Sequence, residues 1–404
     1  MEKSTFPWKI VLASAAILGG AQGVVINTNG VIFAAIVRDT GFRAGDLALY
    51  YTIMYIVQAL SVPYTSKLFF TKNPRLVMSV LGVLFTVSSG AMCVYTRLWH
   101  WYAAAVATGL GYSCMMVAVT TTLNAWLAEK KGLITGVTLS ITGILGALLA
   151  PVFARCVMSF GWRATAALAG AIAFVMIVPC GAFMLTPSPE REGKLPWGNA
   201  SREQVRTDET ARCVPAYVFF LCLAALAGMN GQFQFNLQLP LFARSFGYSL
   251  SAGAALTSCA MIGNITGKVA VGIAIDRLGA YRAGLLLALS LLASFLIFRA
   301  VPGTFAALCV AGVLFGGCYS VGSVLLPQLA LVIWGRDRYR PYVSRLSAFN
   351  SIAASVTGAL FPYLYDFTGS WSPVLWLNIG LSAAAAAIFV FLRRNAATWP
   401  HEQS

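Results

Sequence analysis

The sequence predicts an all-α membrane protein of twelve transmembrane helices, arranged as two pseudo-symmetric six-helix halves. Three observations carry that expectation. Of 404 residues, 58% are hydrophobic and 10% are charged, with a mean hydropathy of +0.75, far more apolar than a water-soluble domain of this size requires. Apolar runs approaching or exceeding the roughly 20 residues that cross a bilayer recur along the chain, and one long polar segment interrupts them. Short motifs repeat between the two sides of that interruption.

The predicted spans cover residues 10–37, 47–69, 76–96, 99–127, 133–157 and 163–185 in the first half. In the second half they cover 214–243, 249–275, 284–300, 304–334, 342–366 and 372–392. The opening MEKSTFPWK leads into an apolar run reaching Val37, too long for a cleaved signal and without a small-residue cleavage site, so it reads as a retained first span. Between the halves lies TPSPEREGKLPWGNASREQVRTDETAR, Thr186 to Arg212, rich in charge, Pro and Gly. The expected organisation is a bundle over 1–185, a cytoplasmic linker over 186–213 and a second bundle over 214–404.

The net charge of +15 would suggest nucleic acid in a soluble protein, but here it orients the chain and no nucleic-acid partner is expected. Placing both termini in the cytoplasm puts twenty of the twenty-eight Lys and Arg residues on that side, including Lys67, Lys72, Arg75, Lys130, Lys131, Arg277 and Arg282. Lys268 alone remains at membrane depth. Nine scattered cysteines, from Cys93 to Cys318 and including Cys213, form no CxxC pair, and only His100 and His401 accompany them. Neither a metal centre nor a cofactor is expected.

The halves share local patterns. GGAQGVVINTNGVIF of the first span aligns with AGMNGQFQFNLQLPLF of the seventh, pairing Gln22 with Asn230 and Gly23 with Gly231. GALLAP ending at Pro151 aligns with GALFP ending at Pro362, followed by Gly161–Trp162 and by Gly369–Trp371 respectively. A repeated six-span unit implies a binding site near the membrane midplane between the repeats and alternating access by rocking.

Four segments carry a resemblance to a known family. GLGYSCMMVAVTTTLNAWLAEKKGLITG (Gly109 to Gly136), GILGALLAP followed by GWR (Gly143 to Arg163), GKVAVGIAIDRLG (Gly267 to Gly279) and DFTGSW (Asp366 to Trp371) resemble the major facilitator superfamily. Within it they resemble the oxalate/formate antiporter and monocarboxylate transporter branch. The resemblance implies a transporter, with a monomer as the superfamily's default state.

Lys268 lies eight residues before Asp276 on a helix, about 12 Å from the cytoplasmic end. Its stem can snorkel toward that interface, or its ammonium can face the central cavity and attract a carboxylate. The second reading is favoured because embedded cations usually face a cavity or a partner. The resemblance agrees, since the branch carries an anion-binding arginine at the matching position. Lysine keeps the charge but loses bidentate geometry. One turn earlier stands Asn264, where proton-coupled carriers of the branch are expected to have an aspartate; an amide cannot release a proton. The antiporter pattern also expects a second cation near Phe349 or Asn350, and none is there, so a monocarboxylate is the simpler ligand.

Further candidates come from polar residues within spans. Asn230, Gln234 and Gln238 form one helical stripe, with Gln232 and Asn236 on another. Each amide could make an interhelical hydrogen bond or contact ligand, and as a group they suggest the wall of a wet cavity. Gln22, Asn27, Thr28 and Asn29 are their first-span counterparts, and Gln234, Asn230 and Asn29 are taken as candidate substrate contacts. The resemblance adds Tyr319, which matches a tyrosine lining the substrate site of the branch, and Met116, which stands where the branch tends to have tyrosine. The resemblance also makes Asp276 and Arg277, with Gly272 allowing close approach, the candidate gating loop, against the bland alternative of an interfacial ion pair.

The predicted function is secondary active or facilitative transport of a small organic anion, most simply a monocarboxylate, across the cytoplasmic membrane, with a proton or counter-anion as the candidate co-substrate. The alternative is efflux of hydrophobic compounds, which an embedded carboxylate would favour and the sequence lacks. No nucleophile, base and orienter set and no P-loop is present, so no enzyme activity is expected.

Overall fold

The structure, a computed structural model, describes residues 6–127, 131–198 and 215–395, with the backbone but not the side chains of residues 70, 71, 131–133, 336, 337, 339 and 340. Among these residues there are helices and no strand, with one isolated bridge between Leu127 and Trp197. Among the described residues, ten helical runs are long and apolar enough to cross a membrane by length and composition.

In the first half, α1 runs Trp8–Thr40 and passes through a π-helical stretch at Gly19–Ile26. It is followed by α2 (Ala44–Thr71), α3 (Pro74–Gly90), α4 (Leu98–Trp126) and α5 (Lys131–Pro179). α3 starts on Asn73, whose side chain accepts from the Arg75 N–H, with Pro74 in the first turn where its missing N–H costs nothing. The second half holds α6 (Ala216–Ser245), α7 (Leu250–Leu278), α8 (Ala280–Ala300), α9 (Phe305–Gly316), α10 (Leu326–Thr368) and α11 (Ser372–Asn395). α7 begins on Ser249, which accepts from the Ala252 N–H.

The two longest runs are each broken by a glycine. Gly161 takes φ 80° in α5 and Gly335 takes φ 67° in α10, a left-handed backbone open to glycine at little cost. These breaks fall where the sequence predicts loops between the fifth and sixth and between the tenth and eleventh spans. The stretch of α10 beyond Gly335, rich in Ser, Thr and Asn, is not among the ten strongly apolar runs, so the count of twelve stands as an expectation of the sequence.

Contacts divide the chain into two compact units, one of residues 1–42 and 49–207 and the other of residues 43–48 and 208–404. In the first unit, Trp101 packs against Trp162 and Phe33, and the Tyr50 hydroxyl donates to Thr108 Oγ1 at 3.1 Å. In the second, Phe235 is ringed by Phe242, Phe295, Phe298, Phe315, Phe361 and Trp371 at centroid separations of 5.6 to 6.4 Å. Both units leave large apolar side chains on the outside, Phe183 at 81% and Phe220 at 65% exposed among them. Such a surface suits hydrocarbon rather than water.

The start of the polar segment is folded onto the first unit. Trp126 Nε1 donates to the Thr186 carbonyl at 2.7 Å, the Trp197 N–H donates to the Trp126 carbonyl at 2.8 Å, and Phe6 meets the Trp197 ring edge-on at 4.9 Å. Residues 199–213 of the expected linker, Cys213 among them, lie outside the described residues.

Candidate functional site

The sequence GNITGKV places Gly263 and Gly267 four residues apart on one face of α7, and Gly316 ends α9 with Gly317 directly after it. Small residues at that spacing let helix backbones touch. A Cβ on Gly263 would lie 3.0 Å from Gly316 Cα, and one on Gly267 would lie 2.7 Å from Gly317 Cα. The two helices therefore run in backbone contact along this stripe.

That contact sets the level of two candidate residues. Lys268 follows Gly267 directly, and Tyr319 comes two residues after Gly317, in the 3-10 turn Gly317–Tyr319. A π-helical stretch, Val321–Leu325, follows the turn, and such irregular turns frequently accompany functional sites. Lys268 is half-buried, and among the described residues no carboxylate pairs with it. Tyr319 is half-buried with its ring tilted against Phe233 at 5.4 Å. Asn264, one turn before Lys268, is 1% exposed; its Oδ1 has no partner and its Nδ2 faces only the Met261 sulfur at 4.0 Å.

Other candidates are placed differently from the expectation. Gln234 is 1% exposed and its Nε2 donates to the Ala354 carbonyl of α10 at 2.9 Å. Gln232 is fully buried, donating to the Asn378 carbonyl at 3.1 Å and to Ser382 Oγ at 2.9 Å on α11. Half-buried Asn230 donates to the Asn350 carbonyl at 3.2 Å. The first stripe thus staples α6 to α10 and Gln232 of the second staples it to α11, because backbone carbonyls of the neighbouring helices offer their spare lone pairs, while Gln232 Oε1 and Gln234 Oε1 have no partner. Gly272 also departs from its expected role: nothing lies within 4 Å of a Cβ placed there, and the close approach occurs at Gly263 and Gly267 instead. Asp276 and Arg277 are exposed at the end of α7.

In the first unit, Asn29 is 2% exposed with its Nδ2 unpartnered, and Met116 is half-buried on α4. Asn350 of α10 enters the sequence reading only as the place of a missing cation. It is 5% exposed, and neither Oδ1 nor Nδ2 has a hydrogen-bond partner. The sequence signal was present at that very position, in the absence of the cation expected there. Among the described residues no group of three or more His, Cys, Asp or Glu side chains could hold a metal ion.

Comparison with known proteins bears on this arrangement. Residues 12–267 and 221–404 match the sequence model of the Major Facilitator Superfamily. Monocarboxylate transporter 13 of Rattus norvegicus is 24% identical over 377 residues, covering 90% of this chain and 84% of its own. Monocarboxylate transporter 11 of Homo sapiens is 28% identical over 179 residues, 44% of this chain and 38% of its own. Among solved structures, a D-xylose-proton symporter superposes with a TM-score of 0.72 at 14% identity, covering 95% of this chain and 97% of its own. A nucleoside transporter gives a TM-score of 0.70 at 10% identity, over 95% and 99%. At such identities the two solved structures speak for the fold alone.

Proposed function

The chain belongs to the Major Facilitator Superfamily, and from that membership we propose that it carries a small organic anion, most simply a monocarboxylate, across the cytoplasmic membrane by alternating access. It is a multi-pass membrane transporter of the monocarboxylate branch. The anionic substrate is the further step, and the observation that carries it is the half-buried Lys268 ammonium, level with Tyr319 and without a carboxylate partner among the described residues. A cation held at membrane depth is costly unless something completes the ion pair. A substrate carboxylate does so, and the names of the sequence relatives point the same way.

Asn264 shapes the cycle. An amide one turn from Lys268 donates and accepts hydrogen bonds but cannot exchange a proton with the lysine. Exchange against a second anion, or facilitated diffusion, therefore fits the residues better than a carboxylate–lysine proton relay. Both termini are assigned to the cytoplasm from the distribution of Lys and Arg.

Counterflow in proteoliposomes with a panel of labelled monocarboxylates tests the proposal. Uptake of at least one acid should vanish in Lys268→Ala and survive in part in Lys268→Arg. Uptake indifferent to Lys268→Ala, together with export of a lipophilic dye, would replace the anion reading with efflux of hydrophobic compounds.

A further inference from the structure

The glycine stripe that joins α7 to α9 continues past the substrate candidates to a pair of thiols. Cys259 stands four residues before Gly263 and eight before Gly267, so all three share one face of α7. Cys309 stands three and seven residues before Gly312 and Gly316 and shares their face of α9. The backbone contact at Gly263 and Gly316 holds these faces together. Gly312 leaves room beside Cys259, whose Cβ would lie 3.2 Å from a Cβ added at that glycine. Cys259 thus lies beside Gly312, one helical turn from Cys309, on the facing sides of α7 and α9. Both cysteines are free and half-buried, whereas Cys114, Cys222 and Cys318 are fully enclosed.

We propose that Cys259 and Cys309 form a bidentate site for a neutral trivalent arsenical, which bridges α7 and α9. Two soft sulfur donors held face to face, with no third ligand needed, match the preference of soft thiophilic centres. The reaction balances without an oxidant. An aryl arsenoxide takes both sulfurs, two S–H bonds give way to two As–S bonds, the oxygen leaves as one water carrying both thiol protons, and arsenic stays trivalent. No charged thiolate persists in the product, which suits a site at membrane depth where a lone anion is costly. Chelation by two donors on adjoining helices should raise retention by about 10²- to 10⁴-fold over one thiol.

The test uses the full-length protein purified in detergent, with phenylarsine oxide as the probe. In the wild type, one arsenical should be retained through a wash with excess monothiol and released by a dithiol. Peptide mapping should show Cys259 and Cys309 together protected from N-ethylmaleimide while the arsenical is bound. Cys259→Ser and Cys309→Ser should each shorten retention by at least about 100-fold, and Cys222→Ser should leave it unchanged. Retention equal to wild type in both single variants would overturn the proposal. So would maleimide labelling of either cysteine in the arsenical-loaded wild type, a measurement that needs no variant to fold.

Discussion

Gly263 and Gly316 lie in backbone contact: a Cβ on Gly316 would sit 2.6 Å from the Gly263 carbonyl carbon, and one on Gly263 would sit 3.0 Å from Gly316 Cα. The obstructing atoms are main chain, so they cannot swing aside. Gly316→Ala must therefore part α7 from α9, and overpacking of this kind costs about 1–3 kcal/mol. Thermal unfolding in detergent should register that loss. Gly272→Ala is the control, because nothing lies within 4 Å of its Cβ and alanine is the better helix former. It should unfold at the wild-type temperature or above.

Gln232 offers a separate check, on whether the amides of α6 are structural. Its Nε2 bridges the Asn378 carbonyl and Ser382 Oγ, and it is sealed from the surface. Gln232→Leu should lower stability by about 1 kcal/mol, the usual scale of an interhelical hydrogen bond in a membrane protein, and leave the apparent KM for substrate alone. A raised KM with unchanged stability would return Gln232 to the translocation pathway.

Trp126 ties the start of the interhalf segment to the first unit through the Thr186 carbonyl at 2.7 Å. Trp126→Phe keeps most of the ring's packing and removes the donor, worth about 1 kcal/mol. Opening of residues 187–198 should become about fivefold more frequent. Limited proteolysis within that stretch should speed up by the same factor, while cleavage elsewhere stays constant.

The broad fold was legible in the sequence because a bilayer tolerates few solutions: long apolar runs must be helices, and the breaks at Gly161 and Gly335 fall where the sequence demanded turns. Lys268 was legible for a related reason, since a cation inside an apolar run stands out. The amide stripe was not. Spacing shows that Gln234 shares a face with Asn230, but whether the face meets water or the Ala354 carbonyl depends on how far α10 stands away. Gly272 misled in the same way, because a glycine permits close approach without supplying the neighbour. The positions that do supply it, Gly263 and Gly267, carry the small-xxx-small spacing that marks helix contacts in membranes.

Asn264 gives the sharpest prediction about the transport cycle. Its Oδ1 is buried without a partner one helical turn before Lys268. Asn264→Asp would place a carboxyl of nearly the same shape there, and the neighbouring ammonium favours its ionised form. At neutral pH that carboxylate would neutralise Lys268 and compete with the substrate anion, weakening binding by about tenfold, or 1.4 kcal/mol. As pH falls through the carboxyl's pKa, the aspartate takes a proton, the ammonium is freed and anion uptake recovers. Uptake by the variant should thus rise on acidification relative to wild type measured in the same series, where no such carboxyl stands beside the lysine. Uptake assays in proteoliposomes across a range of external pH check this, and parallel profiles for the two proteins would dissociate Asn264 from the action of Lys268.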